Sequence, residues 1–105
     1  MDKKQESSLE MLVGLNVTNN SMYQEYRNGM IPILTTYGGS FGYDFMVSEI
    51  LISETDNKIN RVFTIRFPSK EKMDAFFLDI DYIRVKEKYF KNSVENTTII
   101  SSYLQ

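Results

Sequence analysis

Three residues carry most of what this sequence could do chemically: Arg61, Tyr26 and Tyr37. Arg61 alternates with Phe63, Ile65 and Phe67, so the two-residue period of a strand sets it on one face with three large apolar side chains. A guanidinium in that company needs a carboxylate, a partner subunit or an anionic ligand, because an unpaired charge in a dry interior costs on the order of several kcal/mol. Asp44 and Glu49 are the carboxylates of the chain that could answer it. Tyr23, Tyr26 and Tyr37 fall on one helical stripe, which either presents hydroxyls to a ligand or packs as core with its hydroxyls at the rim. Arg61, Tyr26 and Tyr37 are therefore expected to border one cavity suited to a small acidic or phenolic compound. No catalytic residue can be named on these grounds.

The exclusions are firmer. The chain has no histidine and no cysteine, which removes Ser-His-Asp triads, thiolate nucleophiles, disulfides and the usual ligands of zinc and haem. No metal and no cofactor is expected, and acid–base chemistry would fall to an Asp, Glu, Lys or Tyr of shifted pKa. A net charge of −2 argues against a nucleic-acid footprint. The basic run Arg84, Lys86, Lys88, Lys91 is interrupted by Glu87 and reads as a solvated helix face. Gly38 and Gly42 bracket a loop without the Gly-Lys-Ser/Thr ending of a phosphate loop. Tyr37-Gly38-Gly39-Ser40 ends a helix, where the dipole has the wrong sign for an anion. Asn19-Asn20-Ser21 and Asn96-Thr97-Thr98 match glycosylation sequons, expected to be idle in a chain that opens without a secretory signal.

The elements that must position these residues follow from periodicity. A chain of 105 residues with 42% hydrophobic residues supports one core, not two. The expectation is a polar tail over residues 1–8 and a single domain over 9–105. No apolar run reaches the roughly 20 residues of a membrane helix, so no membrane association and residence in the cytoplasm are expected. Leu9 to Val17 alternates as a first strand, and Asn19 to Ser21 offers side-chain oxygens to a helix start. Tyr23, Tyr26, Met30, Ile33, Leu34 and Tyr37 predict a helix over 20–37, kinked at Pro32 and stopped by Gly38-Gly39. Phe41 to Ile52 and Ile59 to Phe67 predict a hairpin closed by the polar turn 53–58. Ser69 caps a second helix over 69–91, with a bend or fresh start at Asp79 and Asp81. Val94 to Leu104 predicts the last strand.

The order is β-α-β-β-α-β, an α+β arrangement of ferredoxin-like type: a four-stranded antiparallel sheet with both helices on one face. Its other face is left bare, and neither face of the first two strands is convincingly polar. Apolar side chains facing water over roughly several hundred Å² are unusual in a monomer. A second copy of the chain, packed sheet to sheet, would cover them with two-fold symmetry.

Tyr23-x-x-Tyr26-Arg27, Pro32, Tyr37-Gly38-Gly39, Arg61-Val62, Phe67-Pro68-Ser69, Phe76-Phe77 and Asp81-Tyr82 follow one another along the chain. In these elements the sequence resembles the family labelled domain of unknown function 1330, in the dimeric α/β-barrel superfamily. Their order and spacing carry the match, which spans nearly the whole chain. The resemblance implies a ferredoxin-like fold whose sheets pack face to face in a homodimer, and no established activity. Three departures stand out. Arg66 occupies a position before Phe-Pro-Ser that is usually acidic, Tyr89 replaces a common arginine, and Gly42-Tyr43-Asp44-Phe45 stands where many members carry a basic residue and glycines. If those positions line a pocket, its charge differs from the family's.

Three functional classes stay open. One is a dimer that binds a small acidic or aromatic molecule between sheet and helices. Another is a cofactor-independent monooxygenase or isomerase, since the superfamily contains such enzymes, though these often use a pocket histidine or a Trp/Tyr/Asn set, and histidine is missing here. The third is a purely structural or interaction dimer. Fold membership does not choose among them.

Overall fold

The computed structural model describes residues 8–104. The polar tail expected over residues 1–8 therefore lies, apart from Ser8, outside the described residues. Along the chain run β1 (Leu9–Val17), α1 (Asn20–Thr36), β2 (Ser40–Met46), β3 (Arg61–Phe67), α2 (Lys70–Leu78), α3 (Ile80–Val85), a π-helical turn (Lys86–Phe90) and β4 (Val94–Leu104). The four strands form one antiparallel sheet in the order β2-β3-β1-β4, the expected ferredoxin-like arrangement.

Helix α1 starts because the Asn19 side chain accepts from the Met22 N–H at 3.0 Å, satisfying a donor that the first turn leaves open. It runs unbroken through Pro32. It ends where Gly38 adopts φ +77°, which lets the Gly38 and Gly39 N–H groups close on Thr35 and Leu34 carbonyls, both at 2.9 Å. Gly39 is also needed sterically: a Cβ there would come within 3.2 Å of the Arg66 carbonyl and closer still to Leu34. Residues of α1 on the sheet side, Tyr23, Tyr26, Met30 and Leu34, are buried against Val13 and Leu15 of β1 and Phe63 and Ile65 of β3.

The second helical region is broken where the paired aspartates suggest. Asp79 leaves the helix with extended backbone (φ −62°, ψ 130°) and its Oδ1 accepts from the N–H groups of Asp81 and Tyr82 at 2.8 and 3.0 Å. What reads as one helix over 69–91 is thus α2, α3 and the π-helical turn in succession. The break lets Phe76 and Tyr82 both face the core, with ring centroids 4.3 Å apart.

The hairpin differs from expectation. Strand β2 stops at Met46 instead of continuing to Ile52, and β3 begins at Arg61 instead of Ile59. The reason is Asn60. Its N–H donates to the Leu15 carbonyl at 2.8 Å, and its side chain takes both the Val17 N–H and the Val17 carbonyl at 2.8 Å. These contacts tie Asn60 to β1, and the hairpin ends there: the Val47 N–H donates to the Asn60 carbonyl at 2.9 Å, and residues beyond Val47 belong to no strand until Arg61. The segment 47–60 instead lies against the helix-free face of the sheet. Ile59 packs on Gly14, where a Cβ would come within 2.9 Å of it, and Asn57 donates to the Thr98 hydroxyl at 3.0 Å.

A bulge in β2 decides which side chains face the helices. Phe41 pairs with Ile65 and Asp44 with Phe63, so Gly42 and Tyr43 stand opposite Thr64 alone and β2 carries one extra residue. Strict alternation would put Asp44 on the face opposite Phe41; the bulge sets them on the same one. Gly42 at the bulge is forced by close approach, since a Cβ would meet Thr64 Oγ1 at 2.6 Å, and that oxygen accepts from the Tyr43 N–H at 2.8 Å. On the helix-free face Tyr43 and Phe45 stack, centroids 5.8 Å apart, and both rings are more than half exposed. This face is not apolar throughout: at one end Glu10 accepts from Tyr103 at 2.8 Å and from Arg66 at 3.4 Å.

Candidate functional site

Between sheet and helices lies a cavity of about 240 Å³. Strands β1, β3 and β4 supply Val13, Phe63 and Ile99 to its wall, and the helices supply Tyr26, Phe76, Tyr82 and Phe90. The lining is overwhelmingly apolar and aromatic, the ordinary character of a small-molecule site. The charged residues in it are Arg27 and Lys86. Among the described residues no cluster of three carboxylates is placed to hold a metal ion.

Arg27 follows Tyr23 by four residues, one turn along α1, so its guanidinium rises beside the Tyr23 ring. Nε donates to the Tyr23 hydroxyl at 2.8 Å, and Nη1 donates to Asp44 Oδ2 at 3.1 Å. The Phe41 ring covers the guanidinium face with its centroid 3.9 Å from Cζ. Nη2 is buried and has no hydrogen-bond partner among the described residues. Asp44 is shared, for Arg61 also grips it, Nε to Oδ1 and Nη2 to Oδ2, both at 2.8 Å. Burial pushes the Asp44 carboxyl up, but the hydrogen bonds and charges of Arg61 and Arg27 outweigh it and hold the group below its usual range.

Tyr26 and Tyr82 meet hydroxyl to hydroxyl at 2.9 Å in the core. Burial raises both phenols above their ordinary value, and for Tyr26 the neighbouring Tyr82 adds to it. Tyr23 is raised too, chiefly by burial. The hydroxyls in the wall therefore stay protonated at neutral pH, able to donate but not to act as bases.

The three expected site residues are not brought to one cavity. Tyr26 lines it. Tyr37 stands at the end of α1, outside the lining, and its hydroxyl donates to Asp79 Oδ2 at 2.7 Å while its ring packs edge-on against Phe76. The bond raises the Tyr37 phenol and lowers the Asp79 carboxyl. Arg61 sits behind the Tyr23 ring, 5.1 Å from its centroid, and also outside the lining. Its carboxylate partner is Asp44. The residue that periodicity did not single out is Arg27, although one signal was present: it lies four after Tyr23 and three before Met30, on the flank of the apolar stripe.

Fold and cavity together define an α+β protein of ferredoxin-like type with room for a ligand between sheet and helices. Within that class the chain belongs to the family described as domain of unknown function (DUF1330), whose model matches residues 11–103. No curated protein sequence matches it. Among solved structures it is similar to a protein of unknown function from Rhodopseudomonas palustris, with a TM-score of 0.81 at 19% identity, covering 96% of this chain and 84% of that one. It is also similar to SnoaB, a cofactor-independent oxygenase from Streptomyces nogalater, with a TM-score of 0.54 at 8% identity over 97% and 92% of the two chains. A dimeric ferredoxin-like protein of unknown function from Thermobifida fusca gives a TM-score of 0.53 at 8% identity, over 98% and 95%. Identities this low establish the fold and nothing finer. Among the described residues no helix is long and apolar enough to cross a membrane.

Proposed function

We propose that this chain, as a single domain over residues 9–105, is a small-molecule-binding protein that works as a cytoplasmic homodimer and takes a small acidic or aromatic compound into the cavity between sheet and helices. The observation that carries the reading is the cavity itself: about 240 Å³, walled by aromatic rings, with the cations Arg27 and Lys86 in its lining. Binding is favoured over acid–base catalysis because the lining holds no carboxylate among the described residues and burial raises the phenols of Tyr23, Tyr26 and Tyr82. The dimer is supported by the exposed Tyr43–Phe45 stack on the uncovered sheet face and by the dimeric description of the Thermobifida fusca structure. The cytoplasm suits a sequence without cysteine.

The test is a fragment screen by amide NMR, using single-ring aromatic and small aliphatic acids and their neutral counterparts. Binding in the cavity shifts the amides of Tyr26, Arg27, Tyr82 and Phe90 together. A panel that leaves all four unmoved overturns the reading.

A further inference from the structure

Resting on that reading, we infer that the ligand is an aromatic monoanion whose carboxylate pairs with the positive charge of Arg27 in the cavity lining. Part of the Arg27 donor set is already engaged. Tyr23 and Asp44 engage Nε and Nη1, and Phe41 covers the face of the guanidinium. Guanidinium hydrogens lie in the plane of the group, so the ring on its face does not compete with an acceptor at its edge. Nη2 is the nitrogen without one among the described residues.

The charge favours an anion. Arg27 and Arg61 share the single carboxylate of Asp44, so the three groups together keep one positive charge beside the cavity. Tyr23, which hydrogen-bonds the same guanidinium, is held neutral by burial. Lys86 adds a second cation; it lines the cavity yet is exposed to solvent, so it stands where the cavity meets water and draws an anion toward the opening. One carboxylate neutralises the inner cluster. A second anionic group on the same ligand would lie among aromatic walls with nothing to pair it.

Size and shape favour a single substituted ring. A cavity of about 150 Å³ holds benzene, so about 240 Å³ accommodates a ring bearing a carboxylate and one small alkyl group. Tyr26, Tyr82 and Phe90 offer ring faces and edges for the offset and edge-to-face contacts that aromatic pairs prefer.

The test compares 4-methylbenzoate with 4-methylbenzamide, which has the same shape and an acceptor but no charge, by calorimetry near neutral pH. The expected result is binding of the acid about tenfold tighter than the amide, since a charge-assisted hydrogen bond is roughly twice as strong as a neutral one. In Arg27→Met that preference disappears. Equal affinity of the two compounds for the native protein overturns the anionic assignment while leaving the cavity reading intact; failure of both to bind removes both. Should Arg27→Met not fold by circular dichroism, the arginine side-chain NMR spectrum of the native protein decides. The Arg27 Nη signals must shift with the acid and not with the amide, and unshifted signals overturn the inference.

Discussion

Arg61 clasps Asp44 at two points, Nε on Oδ1 and Nη2 on Oδ2, each at 2.8 Å. The pair joins β2 to β3 across the sheet edge, and through Asp44 it also joins β2 to α1, because Arg27 binds the same carboxylate. Strand β2 is an edge strand, held otherwise by its ladder with β3. Six of its seven residues are exposed, with only Phe41 reaching the core. A bidentate pair at 17% and 30% side-chain exposure is well above the worth of a surface ion pair.

Two substitutions at this pair separate its parts. Arg61→Met keeps the stem's packing and leaves Asp44 to Arg27, so a loss of about 1–2 kcal/mol is expected, and with one positive charge fewer beside the cavity the preference for an anionic ligand should weaken. Asp44→Asn leaves two guanidinium groups facing one another without their anion, and a larger loss of about 2–4 kcal/mol is expected. Urea denaturation of both variants checks the order. A smaller cost for Asp44→Asn than for Arg61→Met would contradict the shared-carboxylate arrangement.

Acid should weaken the fold through the same carboxylate. An unfolded aspartate titrates near 3.8, and Asp44 in the fold lies below that. The folded state thus binds the proton less readily than the unfolded chain. Its contribution is complete above the unfolded value and is lost as pH falls through 3.8 toward the folded value. Asp79, lowered by its bond from Tyr37, acts in the same direction. The urea midpoint is expected to hold between about pH 7 and pH 5 and to drop below about pH 4. In Asp44→Asn the drop is shallower, and an unchanged slope would assign the acid sensitivity elsewhere.

The hydroxyl pair of Tyr26 and Tyr82 predicts a non-additive cycle. Tyr26→Phe or Tyr82→Phe strands the remaining buried hydroxyl, at a cost of about 1–3 kcal/mol. The double variant strands none, so it should be no less stable than either single one. Losses that simply add would mean that each hydroxyl has its own independent partner.

Sedimentation addresses the proposed dimer. The native chain should sediment at twice its 12.3 kDa, and Phe45→Glu should reduce this to the monomer mass without unfolding, since the Phe45 ring is 54% exposed in the isolated chain. A native protein that sediments as a monomer at micromolar concentration removes the dimer.

Local pattern alone determined much of this molecule. Alternation marked β1 and a β-branched run marked β4 at the bounds the structure shows, the tyrosine stripe marked α1, and the paired aspartates marked the break between α2 and α3. These features depend on neighbours two to four residues away, so they are legible in a single chain. Asp44 also stood among the two carboxylates expected to answer Arg61. Tertiary structure decided the rest. The bulge at Gly42 turns Asp44 toward α1, and it exists because Thr64, on a different strand, sits where a Cβ would go. Asn60 ends the hairpin early by bonding to β1, a partner more than 40 residues away. Arg27 reads as a polar residue on the flank of a helix until Phe41, Asp44 and Tyr23 close around it. Register, bulges and the meeting of side chains from distant strands arise from contacts that periodicity does not encode, and the cavity with Arg27 in its lining is their product.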